Sequence, residues 1–184
     1  MLKDLCLESE KKKILRAKKD LKDIDFLYRK YFPKVNNFVF YRVENETIRN
    51  DIVSNVFFKA MKKLTFFRFI DSRKCSFSSW LFRIAVNEIN QYYRNLKREN
   101  QIIEMSSTNP RTSTELDYEL VKEKMKNLSS DEQNLIVLKY VEKKENSEIA
   151  EIYKKKEGAI KVQIHRVMNK LRSTFEKEVE SEKL

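Results

Sequence analysis

Glycine is almost absent from this chain. Gly158 is the one glycine in 184 residues, where average usage of roughly 7% would give about a dozen. Proline occurs twice, at Pro33 and Pro110. Tight turns between strands rely on glycine, proline and asparagine, so a chain this poor in them is a weak candidate for a sheet protein. The sequence therefore predicts an all-α fold.

The same scarcity excludes several classes of function. A glycine-rich phosphate loop or a dinucleotide fingerprint requires several glycines, because backbone amides must approach a phosphate closely. A zinc site requires Cys and His in close pairs, yet Cys6 and Cys75 are far apart and His165 is the single histidine. Among the many carboxylates, no pair stands out as an acid–base couple. We therefore expect no metal, no cofactor and no catalytic residues, and hence not an enzyme.

Long apolar runs are also missing. No stretch of 18 apolar residues occurs, and the beginning of the chain (MLKDLCLESEKKK) lacks the apolar core of a signal peptide. Two lone cysteines suit a reducing compartment. These features predict a cytoplasmic protein that does not insert into a membrane. Positive charge, in contrast, is in excess: the net charge is +11 and the pI is about 9.5, which favours nucleic acid as the partner.

Apolar residues recur at helical spacing along most of the chain. Pro33 predicts a break or kink between two short helices in the stretch from 21 to 43. The clearest helix spans 47–64. A second strong helix spans 78–97, and serines at its start (Ser76 and Ser78) are candidate caps.

Between 100 and 114 the periodicity gives way to Ser, Thr, Asn and Pro, which is typical of a flexible linker. We therefore divide the chain into four parts. They are a polar N-terminal extension at 1–20, a first helical domain at 21–99, the linker at 100–114 and a second helical domain at 115–180. For the extension, a frayed helix and a tail both remain open. In the second domain, Ser130 and Gln133 have the spacing of a capping box.

A short helix near 146–153, a few turn residues and a longer helix from about Gly158 predict a helix-turn-helix. The apolar stripe of the longer helix comprises Ile160, Ile164, Val167, Met168 and Leu171. At 100° per residue, the opposite face comprises Ala159, Val162, His165, Arg166 and Asn169, flanked by Lys161 and Gln163. Arg pairs with guanine and Gln with adenine in a major groove, and small apolar side chains meet thymine methyls. A solvated amphipathic helix is the competing interpretation, and spacing alone does not separate the two. For His165, a phosphate or base-edge contact is favoured over a metal.

Aromatic and basic residues are concentrated in the first domain. Ten of the chain's aromatic side chains lie between Phe57 and Tyr93. Rings beside Lys and Arg on a loop suit single-stranded nucleic acid, because bases stack on rings while the cations follow the backbone. Most of these rings are nevertheless expected in the core, and the segment from Phe77 to Trp80 is the candidate exception. Within it we expect Trp80 to be mainly structural and Phe77, with the serines that follow, to lie nearer the DNA.

Two regions of the chain, each with two quoted stretches of sequence, resemble a known family. DIVSNVFFKAMKKL at 51–64 and SFSSWLFRIAVNEINQYYRNLKR at 76–98 resemble the second conserved region of sigma-70 family factors. LSSDEQNLIVLKYVEKKENSEIAEIY and GAIKVQIHRVMNKLR, within 128–172, resemble their fourth region. The order, spacing and linker are similar to those of the extracytoplasmic-function group, which lacks the intermediate domain. The resemblance covers about 25–175.

The resemblance implies roles for the matching positions. The 51–64 helix would dock on the β′ clamp helices of core RNA polymerase, through Asp51, Ser54, Asn55, Phe58 and Lys59. The loop that captures a flipped base of the promoter −10 element would comprise Phe77, Ser78, Ser79 and Trp80. Asn87 would help to line that pocket, and Arg83, Arg94 and Lys97 would hold phosphates. The −35 element would be read or gripped by Lys161, Val162, Gln163, His165 and Arg166.

The chain departs from the family pattern at three places. Ser54-Asn55 stands where a polar pair such as Gln-Glu is usual in the clamp-binding helix. Lys154-Lys155-Lys156 replaces a turn that usually carries a glycine and an apolar residue, and these lysines are candidates for phosphate contacts. Gln163 stands where Arg is frequent, which indicates a different base preference.

Together these features predict an alternative sigma factor that binds core RNA polymerase and directs recognition and opening of promoter DNA. By resemblance, an anti-sigma protein is a further candidate partner. The main alternative is a helix-turn-helix regulator that binds duplex DNA without polymerase, and an RNA-binding protein is a third class. A regulator would have no need of an aromatic, basic single-strand loop beside an exposed polar helix face.

Overall fold

The regular elements of the chain are helical. The structure, a computed structural model, describes residues 2–20, 24–69, 76–103, 125 and 127–181, and none of these forms a strand. In chain order the helices are α1 (Leu2–Ala17), α2 (Ile24–Phe40), α3 (Glu46–Lys63), α4 (Phe77–Ile103), α5 (Ser130–Ile136), α6 (Asn146–Tyr153) and α7 (Glu157–Ser181). A 3-10 turn (Leu64–Phe66) follows α3, and a π-helical turn (Val137–Val141) follows α5. The predicted all-α fold is confirmed.

Helix α2 is continuous through Pro33, so the predicted break between two short helices is wrong. Proline inside a helix removes one backbone hydrogen bond and costs about 3 kcal/mol. Tyr31 and Val35, on either side of it, are both buried in the same core. Burial of such side chains contributes roughly 1.5–3 kcal/mol each, which offsets the cost and holds the helix together across the proline.

In the first module, which comprises α2 to α4, side-chain oxygens cap the N-termini of α3 and α4. Asn45 accepts a hydrogen bond from the amide of Ile48 at the start of α3. Ser76 accepts one from the amide of Ser79 at 3.0 Å, which confirms Ser76 as a cap of α4, whereas Ser78 lies inside the helix. Helix α4 continues to Ile103, so the first residues assigned to a linker are helical; the rest of that segment, 104–114, lies outside the described residues.

The N-terminal extension forms a helix that packs on the first module. Ile14 and Ala17 of α1 are fully buried. Glu10 accepts hydrogen bonds from Lys30, at 2.7 Å, and from the hydroxyl of Tyr31. Of the two alternatives left open by the sequence, the structure therefore shows the helix.

Helix α5 begins at a capping box that lies one residue before the predicted one. Ser129 accepts a hydrogen bond from the amide of Glu132, whose carboxylate accepts one from the amide of Ser129 at 2.8 Å. Ser130 and Gln133 instead accept hydrogen bonds from Arg42, in the turn that follows α2. The prediction was wrong because both registers of SSDEQ satisfy the spacing, and contacts with the first module select between them.

The last two helices form the predicted helix-turn-helix. Helix α6 spans the predicted residues, and Lys154 ends it in the left-handed conformation (φ 54°). The amide of Lys155 donates to the carbonyl of Ala150 at 2.9 Å, and that of Lys154 to the carbonyl of Glu151 at 3.3 Å, which is the Schellman arrangement. In α7 the predicted stripe faces inward: Ile160, Ile164, Val167 and Leu171 are buried, and Met168 is half-buried.

The two modules pack directly against one another. One continuous apolar core contains residues of α1 to α4, such as Phe38 and Phe82, together with residues of the second module, such as Leu138 and Ile149. Hydrogen bonds cross the same boundary, among them one from Arg42 to Asn134 at 2.6 Å. Among the described residues, no helix is long and apolar enough to cross a membrane.

Candidate nucleic-acid interface

The N-terminal half of α7 presents the predicted recognition face to solvent. Lys161, His165 and Arg166 are exposed, and Val162 is 50% exposed. Gln163 is half-buried, and its side-chain oxygen accepts a hydrogen bond from the ammonium of Lys155 at 3.3 Å. The face therefore combines basic, amide and small apolar groups, the types that read base edges in a major groove.

The turn before α7 adds positive charge at the edge of this face. Lys154, Lys155 and Lys156 are all exposed. The carbonyl of Lys156 accepts the amides of Ala159 and Ile160, so the lysine run leads directly into the first turn of α7. Cations there add to the partial positive charge of a helix N-terminus, which suits contact with a phosphate backbone.

Phe77 and Trp80 occupy the opposite positions from those expected. Phe77 is 5% exposed, and its ring packs against Tyr31, Phe67 and Trp80 with centroid distances of 5.2, 5.5 and 5.4 Å. Trp80 is half-buried and Ser79 is fully buried. The expectation that Phe77 and both serines lie nearer the DNA is corrected, because Phe77 and Ser79 point into the bundle. Phe77 is the first residue of α4, and its ring packs on Tyr31 of α2. Ser78 remains partly exposed, and Trp80 is the ring with a solvent-facing portion.

Phe69 and two lysines of α1 also belong to this aromatic cluster. Phe69 is half-buried, with its ring 4.9 Å from that of Phe67. The ammonium groups of Lys11 and Lys18 lie 5.6 and 5.8 Å from the rings of Phe69 and Phe67, within the range of cation–π attraction. Helix α1 thus brings lysines to the cluster. The basic composition of α1 was visible in the sequence, but its contact with this site was not.

The other predicted −10 residues lie along α4. Arg83, Asn87 and Arg94 are separated by four and seven residues, a spacing that places them on one helix face. Lys97 follows one turn later. Asn87, Arg94 and Lys97 are exposed, whereas Arg83 is half-buried and donates to the carbonyls of Glu151 and Ile152 in the second module.

The predicted polymerase-binding residues form one outward stripe on α3. Asp51, Ser54, Asn55 and Lys59 are exposed and Phe58 is 49% exposed. Lys59 pairs with Glu88 of α4 at 2.6 Å, which links the stripe to that helix.

The exposed apolar surface continues beyond the predicted polymerase-binding residues. Met61 is 39% exposed and Phe66, in the 3-10 turn, is 80% exposed. The neighbouring Phe67, in contrast, is buried in the core. Among the described residues, no cluster of three or more His, Cys, Asp or Glu side chains could hold a metal.

These surfaces define a two-module, helical DNA-binding protein. Residues 27–99 match the sequence profile of Sigma-70 region 2, and residues 118–171 match that of Sigma-70 region 4. The RNA polymerase sigma factor YlaC of Bacillus subtilis is 27% identical over 173 residues, which covers 88% of this chain and 96% of that protein. The ECF RNA polymerase sigma factor BldN of Streptomyces coelicolor is 24% identical over 154 residues, 79% of this chain and 57% of that protein.

Two solved structures share the fold across both modules. CnrH, in complex with the cytosolic domain of CnrY, superposes with a TM-score of 0.69 at 20% identity, over 90% of this chain and 96% of that one. The sigma factor RpoE, in complex with the anti-sigma factor NepR from Bartonella quintana, superposes with a TM-score of 0.66 at 23% identity, over 84% and 98% of the two chains.

The chain belongs to the sigma-70 family of RNA polymerase sigma factors, in its extracytoplasmic-function group. It is an alternative sigma factor, whose partners are core RNA polymerase and promoter DNA. The alternative of a regulator that works without polymerase is not favoured, because the first module is itself a sigma region.

Proposed function

We propose that this sigma factor divides its work among three surfaces: α3 docks on the β′ clamp helices, the α4 face captures the melted −10 strand, and α7 reads the −35 element. The observation that carries the proposal is the presence of an exposed recognition helix and an exposed basic, aromatic face on separate modules of one chain. The protein acts by binding in the cytoplasm and is not an enzyme.

The −35 assignment rests on the outward face of α7. Arg166 is exposed and has the donors for a two-pronged contact with guanine, while Val162 offers an apolar surface to a thymine methyl. Lys161 and His165 lie beside them and reach toward phosphate or base edges. Lys155 donates to the side-chain oxygen of Gln163, which favours an orientation with the Gln163 NH2 group free to donate to a base edge.

The −10 assignment rests on the partly exposed Trp80 and on the stripe along α4. Flipping a base out of the duplex costs a few kcal/mol. Stacking on an aromatic ring contributes roughly 1–3 kcal/mol per base, and contacts of Arg94 and Lys97 with phosphates add to it. Asn87, exposed between Trp80 and Arg94 on α4, supplies the amide that would meet a base edge. Phe77 and Ser79 support this surface from beneath.

The polymerase assignment rests on the α3 stripe. Polar residues around an exposed central ring, here Phe58, are typical of a protein–protein contact that is anchored by an aromatic side chain. Ser54-Asn55 has no charge, so we expect these two residues to contact the clamp through hydrogen bonds rather than ion pairs.

An anti-sigma protein is the third partner that we propose. The structures of CnrH and RpoE are complexes, one with the cytosolic domain of CnrY and the other with the anti-sigma factor NepR. A chain of the same fold is suited to being held by a partner of that kind.

The deciding experiment mixes the purified chain with core RNA polymerase in size-exclusion chromatography, followed by transcription from a cognate promoter. We expect co-elution, and promoter opening only by the holoenzyme. The free chain should bind duplex DNA weakly and without sequence preference, with an affinity that falls steeply as salt increases. Tight, sequence-specific binding by the free chain, without co-elution, would instead support the regulator.

A further inference from the structure

Helix α1 and the turn that continues it place two lysines beside the aromatic cluster of the first module. Lys11 and Lys18 are seven residues apart, about two helical turns, so their side chains project from the same side. The amide of Lys18 donates to the carbonyl of Ile14 at 3.1 Å, which extends the helical hydrogen bonding to this residue. We name Lys11 and Lys18 the lysine pair.

Direct contacts hold the lysine pair at the rings. The ammonium group of Lys18 donates to the backbone carbonyl of Phe67. The ring of Phe67 lies 5.1 Å from that of Trp80 and 4.9 Å from that of Phe69, centroid to centroid. Lys18 is therefore one ring away from Trp80, the proposed stacking surface, and Lys11 lies at Phe69 on the other side of Phe67.

The charge of the lysine pair is available for an anion. An ammonium group has three N–H donors, and the known acceptor of Lys18 is a neutral carbonyl. Glu10, next to Lys11 in sequence, accepts hydrogen bonds from Lys30 and Tyr31 instead. Within the part of the chain that the structure describes, neither lysine of the pair forms an ion pair with a carboxylate.

The neighbouring rings indicate which anion this is. Sites for single-stranded nucleic acid combine rings on which bases stack with cations that follow the sugar–phosphate backbone. A base stacked on Trp80 has a phosphate on each side of it, and the lysine pair lies at the adjoining rings. The chemistry therefore fits a phosphodiester of single-stranded DNA next to the captured base.

We propose that the lysine pair is a phosphate-binding subsite for the melted −10 strand, which makes the N-terminal helix part of the DNA-binding surface. This inference rests on the proposed base capture at Trp80 and extends it from one base to the adjoining backbone. Phe69 is a positioning residue, because its ring attracts the ammonium group of Lys11. The carbonyl of Phe67 does the same for Lys18.

The test compares holoenzymes that carry a Lys11→Met/Lys18→Met double variant or a matched control, Lys12→Met/Lys19→Met. The control lysines are exposed and have the same seven-residue spacing, but they project about 100° away around the helix. Methionine keeps an unbranched, flexible side chain and removes the charge. Fluorescence anisotropy measures binding of a labelled non-template −10 oligonucleotide to each holoenzyme at a series of salt concentrations.

We expect the wild type and the control to bind within about twofold of one another. The lysine-pair variant should bind about tenfold more weakly near 0.1 M salt. Its plot of log affinity against log salt should be shallower by about 1.4, since each phosphate contact of a single strand contributes about 0.7 to the slope.

A second measurement locates the contact on the strand. Oligonucleotides that carry one uncharged methylphosphonate in place of one phosphate are tested at each position in turn. At one or two positions, the replacement should weaken binding by the wild type and the control but not by the lysine-pair variant. A contact that the variant has already lost cannot be lost again, so the two changes are not additive there.

A lysine-pair variant with the melting temperature, affinity and salt slope of the wild type would overturn the proposal. Equal responses of variant and wild type to every methylphosphonate would also overturn it. If the double variant melts early, Lys11→Met alone decides the question, because Lys11 is exposed, and half of the slope change is expected. A wild-type holoenzyme that binds a scrambled oligonucleotide equally well would instead refute base capture, while the lysine-pair comparison still reports on phosphate binding.

Discussion

Phe77 and Trp80 lie one helical turn apart at the start of α4, with ring centroids 5.4 Å apart, and Phe77 is the buried member of the pair. We predict that Phe77→Ala lowers the free energy of unfolding by about 3–5 kcal/mol, because it opens a cavity among Tyr31, Phe67 and Leu81. Chemical denaturation of the free chain measures this loss. A change of less than 1 kcal/mol would show that the ring is not a core residue.

Trp80→Ala should separate stability from function. Its ring is partly exposed, so we expect a smaller loss of stability than for Phe77→Ala, and normal binding to core polymerase. Permanganate footprinting of the −10 region with the variant holoenzyme should show lost thymine reactivity, because the flipped base has no ring on which to stack. Normal thymine reactivity would remove Trp80 from the base-capture site.

Arg166→Ala should weaken recognition of the −35 element by about 1–3 kcal/mol, the value of a good two-pronged base contact, and leave polymerase binding unchanged. Arg172→Ala is the matched control, since Arg172 is exposed on the same helix but lies beyond the recognition half. Binding of the two holoenzymes to promoters with and without the −35 element measures the effect. If the two variant holoenzymes depend equally on the −35 element, Arg166 does not belong to the recognition face.

Glu132 gives the α5 cap a dependence on pH. Burial raises the pKa of its carboxyl, but hydrogen bonds from Lys170 and Ser129 outweigh burial, and the pKa is lowered from 4.5. A carboxylate with a lowered pKa stabilises the folded chain above its ordinary pKa, and this contribution is lost as the pH falls through the lowered value. Glu132→Gln should therefore cost up to about 1 kcal/mol at pH 7, and the difference from wild type should shrink as the pH falls below 4.5 and through the lowered pKa. Denaturation at a series of pH values tests this, and a difference independent of pH would contradict it.

Gly158→Ala should stabilise the chain. Gly158 is exposed in the first turn of α7, its φ is not positive, and an added Cβ would meet no atom within 4 Å. Replacing such a glycine reduces the entropy of the unfolded chain and contributes about 0.4–1 kcal/mol. We expect the melting temperature to rise by about 2 °C. A fall would mean that the recognition helix needs the flexibility of glycine at this position.

Periodicity predicted most of the helices because it reports which side of a segment is apolar. It identified the stripe of α7 from Ile160 to Leu171 and the bounds of α6, since each is set by residues within a few turns. It did not identify which ring of the Phe77–Trp80 pair faces inward. Both are apolar, and the choice depends on Tyr31 and Phe67, which are distant in sequence.

Contacts between the modules had no signal in the sequence. Arg42 and Asn134 are 92 positions apart, and each alone resembles an ordinary surface residue. The break at Pro33 was wrongly predicted for the same reason, because the core that keeps α2 continuous through it is contributed largely by other helices. The sequence resemblance supplied the family, but the packing of the two modules on each other becomes visible only in three dimensions.

The π-helical turn at Val137–Val141 closes with a hydrogen bond from the amide of Glu142 to the carbonyl of Val137, five residues earlier, at 2.9 Å. Such a turn holds one residue more than the same length of α-helix. Removing Tyr140, which is 50% exposed, would therefore let this turn close as an ordinary α-helical one, with Leu138 still facing inward. A one-residue deletion here should be tolerated far better than one in α3, where it would rotate every following side chain by about 100°. This turn is thus the place where the length of the second module is most freely adjusted.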